Sequence, residues 1–252
     1  MYHFFVSPSD IIDHDIYVRG DDYNHIKNVL RMKPGEVISV SNGTDDNEYR
    51  CHIEEYSEDA VHCRLDFIKA ADTELPVKVY LFQSLPKGDK MELVIQKAVE
   101  LGVTEIIPVA SSRCVVKLDA KKVKSKTERW NGIAEAAAKQ SRRKIIPPVK
   151  EVMDFRQALE YAGECDIKLI PYELAEDFRT TKDMIGSMKR GESVAVFIGP
   201  EGGYAEEEIE AAQNAGLKPV TLGHRILRTE TAAMVVLSWI VYETEDEGSI
   251  DR

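Results

Sequence analysis

From Pro76 onward the chain alternates short apolar runs with stretches whose apolar residues recur at helical spacing, and this rhythm constrains the fold most. Val77 to Phe82, Ile106 to Val109, Ile167 to Ile170, Val194 to Ile198 and Pro219 to Leu222 read as strands. Between them, Met91, Val94, Ile95, Ala98 and Val99 fall on one helical face, as do Trp130, Ile133, Ala134, Ala137 and Ala138. An acidic helix is expected over Ala205 to Gln213 and an apolar one over Thr231 to Tyr242. Strand and helix in alternation bury a mainly parallel sheet under helices. The first seventy residues have another pattern. A short helix over His25 to Arg31 and a Lys33-Pro34-Gly35 turn precede three strand-like runs, Val37 to Val40, Tyr49 to Tyr56 and Ala60 to Ile68. The chain thus divides into a small β-rich domain, 1–72, and a larger α/β domain, 73–252. The tail from Glu243 is polar and expected to fray.

The net charge of −11 speaks against nucleic acid when taken alone. Its distribution does not. Between Ser111 and Lys150, twelve basic residues face only Asp119, Glu128 and Glu135, so a local excess of nine positive charges sits in an otherwise acidic chain. No apolar run reaches the length of a membrane span, and no basic-then-apolar leader opens the sequence. Four scattered cysteines do not form a disulfide framework, so a reducing cytoplasm is the expected location. Cys51-His52 and His62-Cys63 suggest zinc. Pairing their strands symmetrically about Ser57 sets Cys51 against Cys63 on one face and His52 against His62 on the other. That yields two pairs rather than a tetrahedron, so no metal is expected.

Two motifs carry chemistry. Phe197-Ile198-Gly199-Pro200-Glu201-Gly202-Gly203-Tyr204 follows one strand and precedes a helix. Three glycines in five residues allow close approach of backbone to a ligand, although this is neither a dinucleotide fingerprint nor a P-loop. Leu222-Gly223-His224-Arg225-Ile226-Leu227-Arg228-Thr229-Glu230-Thr231-Ala232 also joins a strand to a helix, which Thr229 or Thr231 is placed to cap. Two arginines, a carboxylate and two hydroxyls exceed what a structural turn needs.

Together these motifs resemble the RsmE family of 16S ribosomal RNA uridine-N3 methyltransferases, of the SPOUT class. Gln96 to Val103, the basic helix from Arg129-Trp130 through Gln140-Ser141-Arg142, and Arg19, His25 and Val29-Leu30-Arg31 extend the resemblance over nearly the whole chain. It implies an α/β fold with a deep C-terminal trefoil knot and a PUA-like N-terminal β-barrel. It implies S-adenosyl-L-methionine as cofactor, 16S rRNA or the assembled 30S subunit as partner, and a homodimer. Phe197, Ile198, Gly199, Pro200, Glu201, Gly202, Gly203, Leu222, Gly223, Ile226, Leu227, Thr231 and Ala232 would hold the cofactor. Arg228 would stabilise the uracil anion, Arg225 would orient the loop or a phosphate, and Glu230 would take the N3 proton or position Arg228. RNA contacts are expected from Arg19, His25, Arg31, Arg113, Lys122, Arg129, Gln140, Arg142 and Arg143. Rival readings are another SPOUT-type enzyme acting on ribose or tRNA, and a non-catalytic RNA-binding assembly factor.

Overall fold

The computed structural model describes residues 1–70, 73–175 and 177–245. The tail beyond residue 245 lies outside the described residues. The chain forms two compact units, one of Met1–Glu74 with Ala138–Ile146, the other of Leu75–Ala137 with Pro147–Arg252.

The first unit is a mixed sheet. Its strands are β1 (His3–Phe5), β2 (Ile11–Ile12), β3 (Asp15–Arg19), β4 (Val37–Ser41), β5 (Asn47–Tyr56) and β6 (Ala60–Ala70), in the order β1-β4-β5-β6-β3-β2. Only β1 and β4 pair in parallel. The three strands nearest the N-terminus are short, and their alternation is too brief to show in the sequence. The helix expected near His25 starts earlier, as α1 (Gly20–Asn24), and runs into a wider turn over His25–Leu30. Phe4, Ile16, Val18, Ile26, Ile38, Cys51, Ile53, Val61 and Cys63 make the core.

The hairpin of β5 and β6 corrects the symmetric pairing about Ser57. Two register irregularities set Cys51 opposite Leu65 and Cys63 opposite Ile53. The two thiols still share the core, where the Cys63 contact and burial hold the Cys51 thiol well above its ordinary range. The histidines part company: His52 pairs with Asp66 at 2.7 Å and His62 with Asp15 at 2.8 Å.

The segment 138–146, which the expected division placed with the larger domain, is tied into the first unit by charge. Arg143 pairs with Glu74, Lys139 Nζ lies 3.1 Å from Asp22, and Lys144 Nζ lies 3.8 Å from Glu48. A backbone bridge joins Gly43 and Ile145.

The second unit has strands β7 (Lys78–Ser84), β8 (Glu105–Ala110), β9 (Met153–Asp154), β10 (Ile167–Pro171), β11 (Ser193–Ile198) and β12 (Lys218–Val220). Its helices are α2 (Lys90–Glu100), α3 (Ala120–Ser141), α4 (Phe155–Tyr161), α5 (Phe178–Gly186), α6 (Glu206–Asn214) and α7 (Thr229–Thr244). The sheet order is β12-β10-β11-β7-β8-β9, and every pair is parallel. Parallel sheets are covered on both faces, which is why Val194 to Ile198 and Leu81 to Ser84 are buried without alternation. Phe82 and Phe197 stand opposite each other in register and stack with ring centroids 4.2 Å apart. From β7 the chain moves to one side of the sheet, and from β11 to the other. That reversal opens a crevice at the carboxyl ends of β7 and β11, the position where open α/β sheets bind ligands.

Candidate active site

Residues 85–89 after β7 and 199–205 after β11 are tied together here, and the segment 221–228 after β12 leads into Thr229, which bonds to the second of them. The glycine loop is the most tightly built. Gly203 has φ +65°, and its N–H donates to the Pro200 carbonyl at 2.9 Å. A Cβ on Gly199 would stand 3.3 Å from the buried Tyr204 ring, so that side chain leaves no room for one without moving. Arg113 Nη1 donates to the Gly202 carbonyl at 3.0 Å. Glu201 Oε1 accepts from Lys90 Nζ at 2.9 Å and from the Lys87 backbone N–H at 3.1 Å.

Thr229 locks the start of α7 to this loop. Its hydroxyl donates to the Gly199 carbonyl at 2.6 Å and accepts from Gln83 Nε2, on β7, at 2.9 Å. The cap expected of Thr229 or Thr231 is therefore not made. The helix starts at Thr229 behind Arg228, without a side-chain cap, because the Thr229 hydroxyl is committed across the crevice.

The segment 221–228 is different. Gly223, at φ +102°, has its N–H on Thr221 Oγ1 at 3.3 Å. Among the described residues, His224, Arg225, Ile226 and Leu227 make no hydrogen bond. Ile226 is 88% exposed, and Arg225 and Arg228 are exposed. Unclaimed backbone groups beside apolar side chains suit a nucleoside, which offers a π-face and polar edges. Two buried oxygens nearby, Gln83 Oε1 and Glu230 Oε2, have no hydrogen-bond partner.

Charge concentrates beside them. Lys90 Nζ is 2.9 Å from Glu201 and 3.6 Å from Glu230 Oε2. Its ammonium pKa is raised by the Glu201 hydrogen bond first, with both carboxylates adding to it against burial and the Arg228 charge. Burial pushes the Glu201 carboxyl up, but Lys90 and the backbone N–H groups of the loop outweigh it and hold the carboxyl below its usual value. Neither Lys90 nor Gln83 stood out in the sequence. Lys87-Gly88-Asp89-Lys90 directly follows a strand's carboxyl end, and that position was the available signal.

The other expected site residues are distributed as follows. Ile198 and Pro200 are buried; Leu222, Leu227, Thr231 and Ala232 are half-buried. The Phe197 ring is committed to the stack on Phe82, so only its backbone is available to a ligand. Of the residues expected to touch RNA, Arg19, His25, Arg31, Arg113, Lys122, Arg129, Gln140 and Arg142 are exposed. Arg19 already pairs with Asp10 and Asp59, and Arg129 with Glu92 at 2.8 Å. Arg143 is a correction. Its side chain is only 4% exposed and serves Glu74 inside the first unit, out of reach of a phosphate.

Comparison with known proteins decides the family. The RNA methyltransferase domain family matches residues 73–241, and the RNA methyltransferase PUA domain family matches residues 18–66. Ribosomal RNA small subunit methyltransferase E of Bacillus subtilis is 40% identical over 231 residues, 90% of each chain. The chain belongs to the ribosomal RNA small subunit methyltransferase E family. A second member, from Mesomycoplasma hyopneumoniae, is 35% identical over 94% of this chain and 98% of its own. The crystal structure of the Neisseria gonorrhoeae methyltransferase E, bound to S-adenosyl methionine, superposes with a TM-score of 0.80 at 31% identity, over 94% of this chain and 95% of that one. Methyltransferase E members thus share both the β-rich first domain and the parallel-sheet second domain found here.

Proposed function

We propose that this chain transfers a methyl group from S-adenosyl-L-methionine to N3 of a uridine in 16S rRNA of the small ribosomal subunit. The observation that supports it most is the convergence of Gly199–Gly203 and Leu222–Arg228 at the carboxyl ends of β7 and β11, with Arg228, Glu230 and Lys90 beside them.

The backbone of Gly199 to Gly203 and Leu222 to Leu227, with the apolar side chains of Leu222, Ile226 and Leu227, would hold the cofactor. When bound, the cofactor supplies an electrophilic methyl group on a sulfonium. The chain's residues do the rest. A uracil N3 becomes nucleophilic only on losing its proton, and its negative charge then spreads onto O2 and O4. Arg228, exposed at the entrance of α7, stabilises that charge; a fixed cation aimed at developing charge is the strongest lever available to such a site. Glu230, two residues on, takes the N3 proton as a carboxylate and returns it to water. Arg225 holds a backbone phosphate.

The exposed cations Arg113, Lys122, Arg129 and Arg142 bind RNA phosphates, so affinity should fall steeply with salt. A homodimer is supported by α7, which is apolar nearly all round and leaves Tyr242 86% exposed and Met234, Val235, Trp239 and Val241 half-buried. A threaded, knotted C-terminus is supported by the return of the chain from edge strand β12 to the Thr229 contacts with Gly199 and Gln83. No helix among the described residues is long and apolar enough to cross a membrane.

The test is direct. Protein, labelled S-adenosyl-L-methionine and small-subunit particles from a strain lacking the enzyme are incubated, and the modified nucleotide is mapped by mass spectrometry. Label on uridine N3 of 16S rRNA is expected. Label on a ribose, on another base, or none at all would overturn the assignment.

A further inference from the structure

Lys90 occupies an electrostatically poor place. It is the first residue of α2 and follows Asp89 at the N-cap. The first turn of a helix carries the positive end of the macrodipole and favours carboxylates over ammonium groups. A lysine there needs anionic partners, and this one has two from distant parts of the chain. Glu201, on the glycine loop, accepts its hydrogen bond at 2.9 Å; Glu230, in the first turn of α7, lies at 3.6 Å. The Glu230 oxygen that faces it is buried and has no hydrogen bond. The Arg228 guanidinium also bears on this group. Two cations and two carboxylates from α2, the glycine loop and α7 therefore form one cluster.

We infer that Lys90 is a positioning residue for methyl transfer: its ammonium joins the cofactor loop to the last helix through Glu201 and Glu230, and keeps these like charges side by side. The inference rests on the reading of Arg228 and Glu230 as the residues that act on uracil. Without Lys90, the two carboxylates lose the cation that stands between them, and the titration midpoint of one of them rises. A protonated Glu230 cannot accept a proton from N3, whereas the glycine loop keeps its ties to Thr229 and Arg113. Lys90 would therefore affect the rate far more than the affinity for the cofactor.

The experiment compares wild type with Lys90→Met, Lys90→Arg and the double variant Lys90→Met with Glu201→Gln. The first readout needs no RNA: the carboxyl carbons of Glu201 and Glu230 are titrated by carbon-13 NMR, assigned by difference with Glu201→Gln and Glu230→Gln. One midpoint should rise by about 1 pH unit or more in Lys90→Met, remain near wild type in Lys90→Arg, and fall back in the double variant. The second readout is single-turnover methyl transfer. It should fall about 10-fold on the acid limb of the rate profile in Lys90→Met, that limb moving alongside the carboxyl, while calorimetric affinity for S-adenosyl-L-methionine stays within ~3-fold. Unchanged carboxyl titrations in a folded Lys90→Met, or no recovery in Lys90→Arg, would overturn the inference. Should Lys90→Met not fold, Lys90→Gln is titrated in its place, with the same rise of one carboxyl midpoint expected and its absence overturning the inference. Should wild type fail to label small-subunit particles, the function falls, and the titration still judges Lys90.

Discussion

The two loops of the crevice follow strands of the same sheet, yet they are built in opposite ways. The glycine loop is tied at nearly every residue: Gly199 to Thr229, Pro200 to Gly203, Glu201 to Lys90 and Lys87, Gly202 to Arg113. Residues 224–227 have no such ties and expose Ile226 almost fully. One loop is finished before any ligand arrives; the other has backbone groups to spare. Binding energy spent on the first goes into contact, whereas part of what is spent on the second goes into ordering.

This contrast can be broken at its ends. The largest effect is expected at Arg228, where the open loop enters α7. Arg228→Ala should slow single-turnover transfer by about 10²- to 10³-fold, as loss of a donor to developing charge does elsewhere, with cofactor affinity nearly unchanged. A loss below tenfold would remove Arg228 from the chemistry. Next comes the lock between loops. Thr229→Val keeps the shape but strands the Gly199 carbonyl and leaves the Gln83 amide nitrogen only the Ser84 carbonyl, so urea denaturation should show about 2 kcal/mol of lost stability; an unchanged midpoint would mean the glycine loop is not held from α7. Gly203→Val forces a β-branched residue into φ +65°, a strain of about 1–2 kcal/mol. Calorimetry should then show cofactor affinity reduced roughly tenfold, since the finished loop is distorted. The smallest effect is expected at the open loop's tip. Ile226→Ala should change stability by less than about 0.5 kcal/mol and weaken the cofactor only a few-fold. In wild type, amide exchange should slow over 222–228 on cofactor addition and hardly change over 199–204. Equal protection of both loops would erase the distinction.

Much of this was legible before any coordinates. Continuous apolar runs and period-3.6 patterns report burial, and burial drives the elements, so Val194 to Ile198 and the Met91 to Val99 face declared themselves. Gly203 and Gly223 marked backbone that only glycine adopts freely. Charge was harder to read. Arg142 and Arg143 are adjacent and chemically identical, yet one is exposed and the other is sunk against Glu74, a partner sixty-nine positions away. Lys90 belongs to the candidate site through Glu201, one hundred and eleven positions distant. Nothing local encodes which carboxylate a lysine will find. The hairpin register failed for a related reason: bulges in β5 and β6 leave no compositional trace.

The return of residues 138–146 to the β-rich unit bears on how such a protein can be taken apart. A contiguous piece ending near residue 74 omits Arg143 and Lys144, leaving Glu74 without the cation that matches it and Glu48 with Arg50 but without Lys144. Swapping this unit between relatives would therefore mean transplanting two stretches of chain together, and limited proteolysis at the junction should not release it as a self-sufficient fragment.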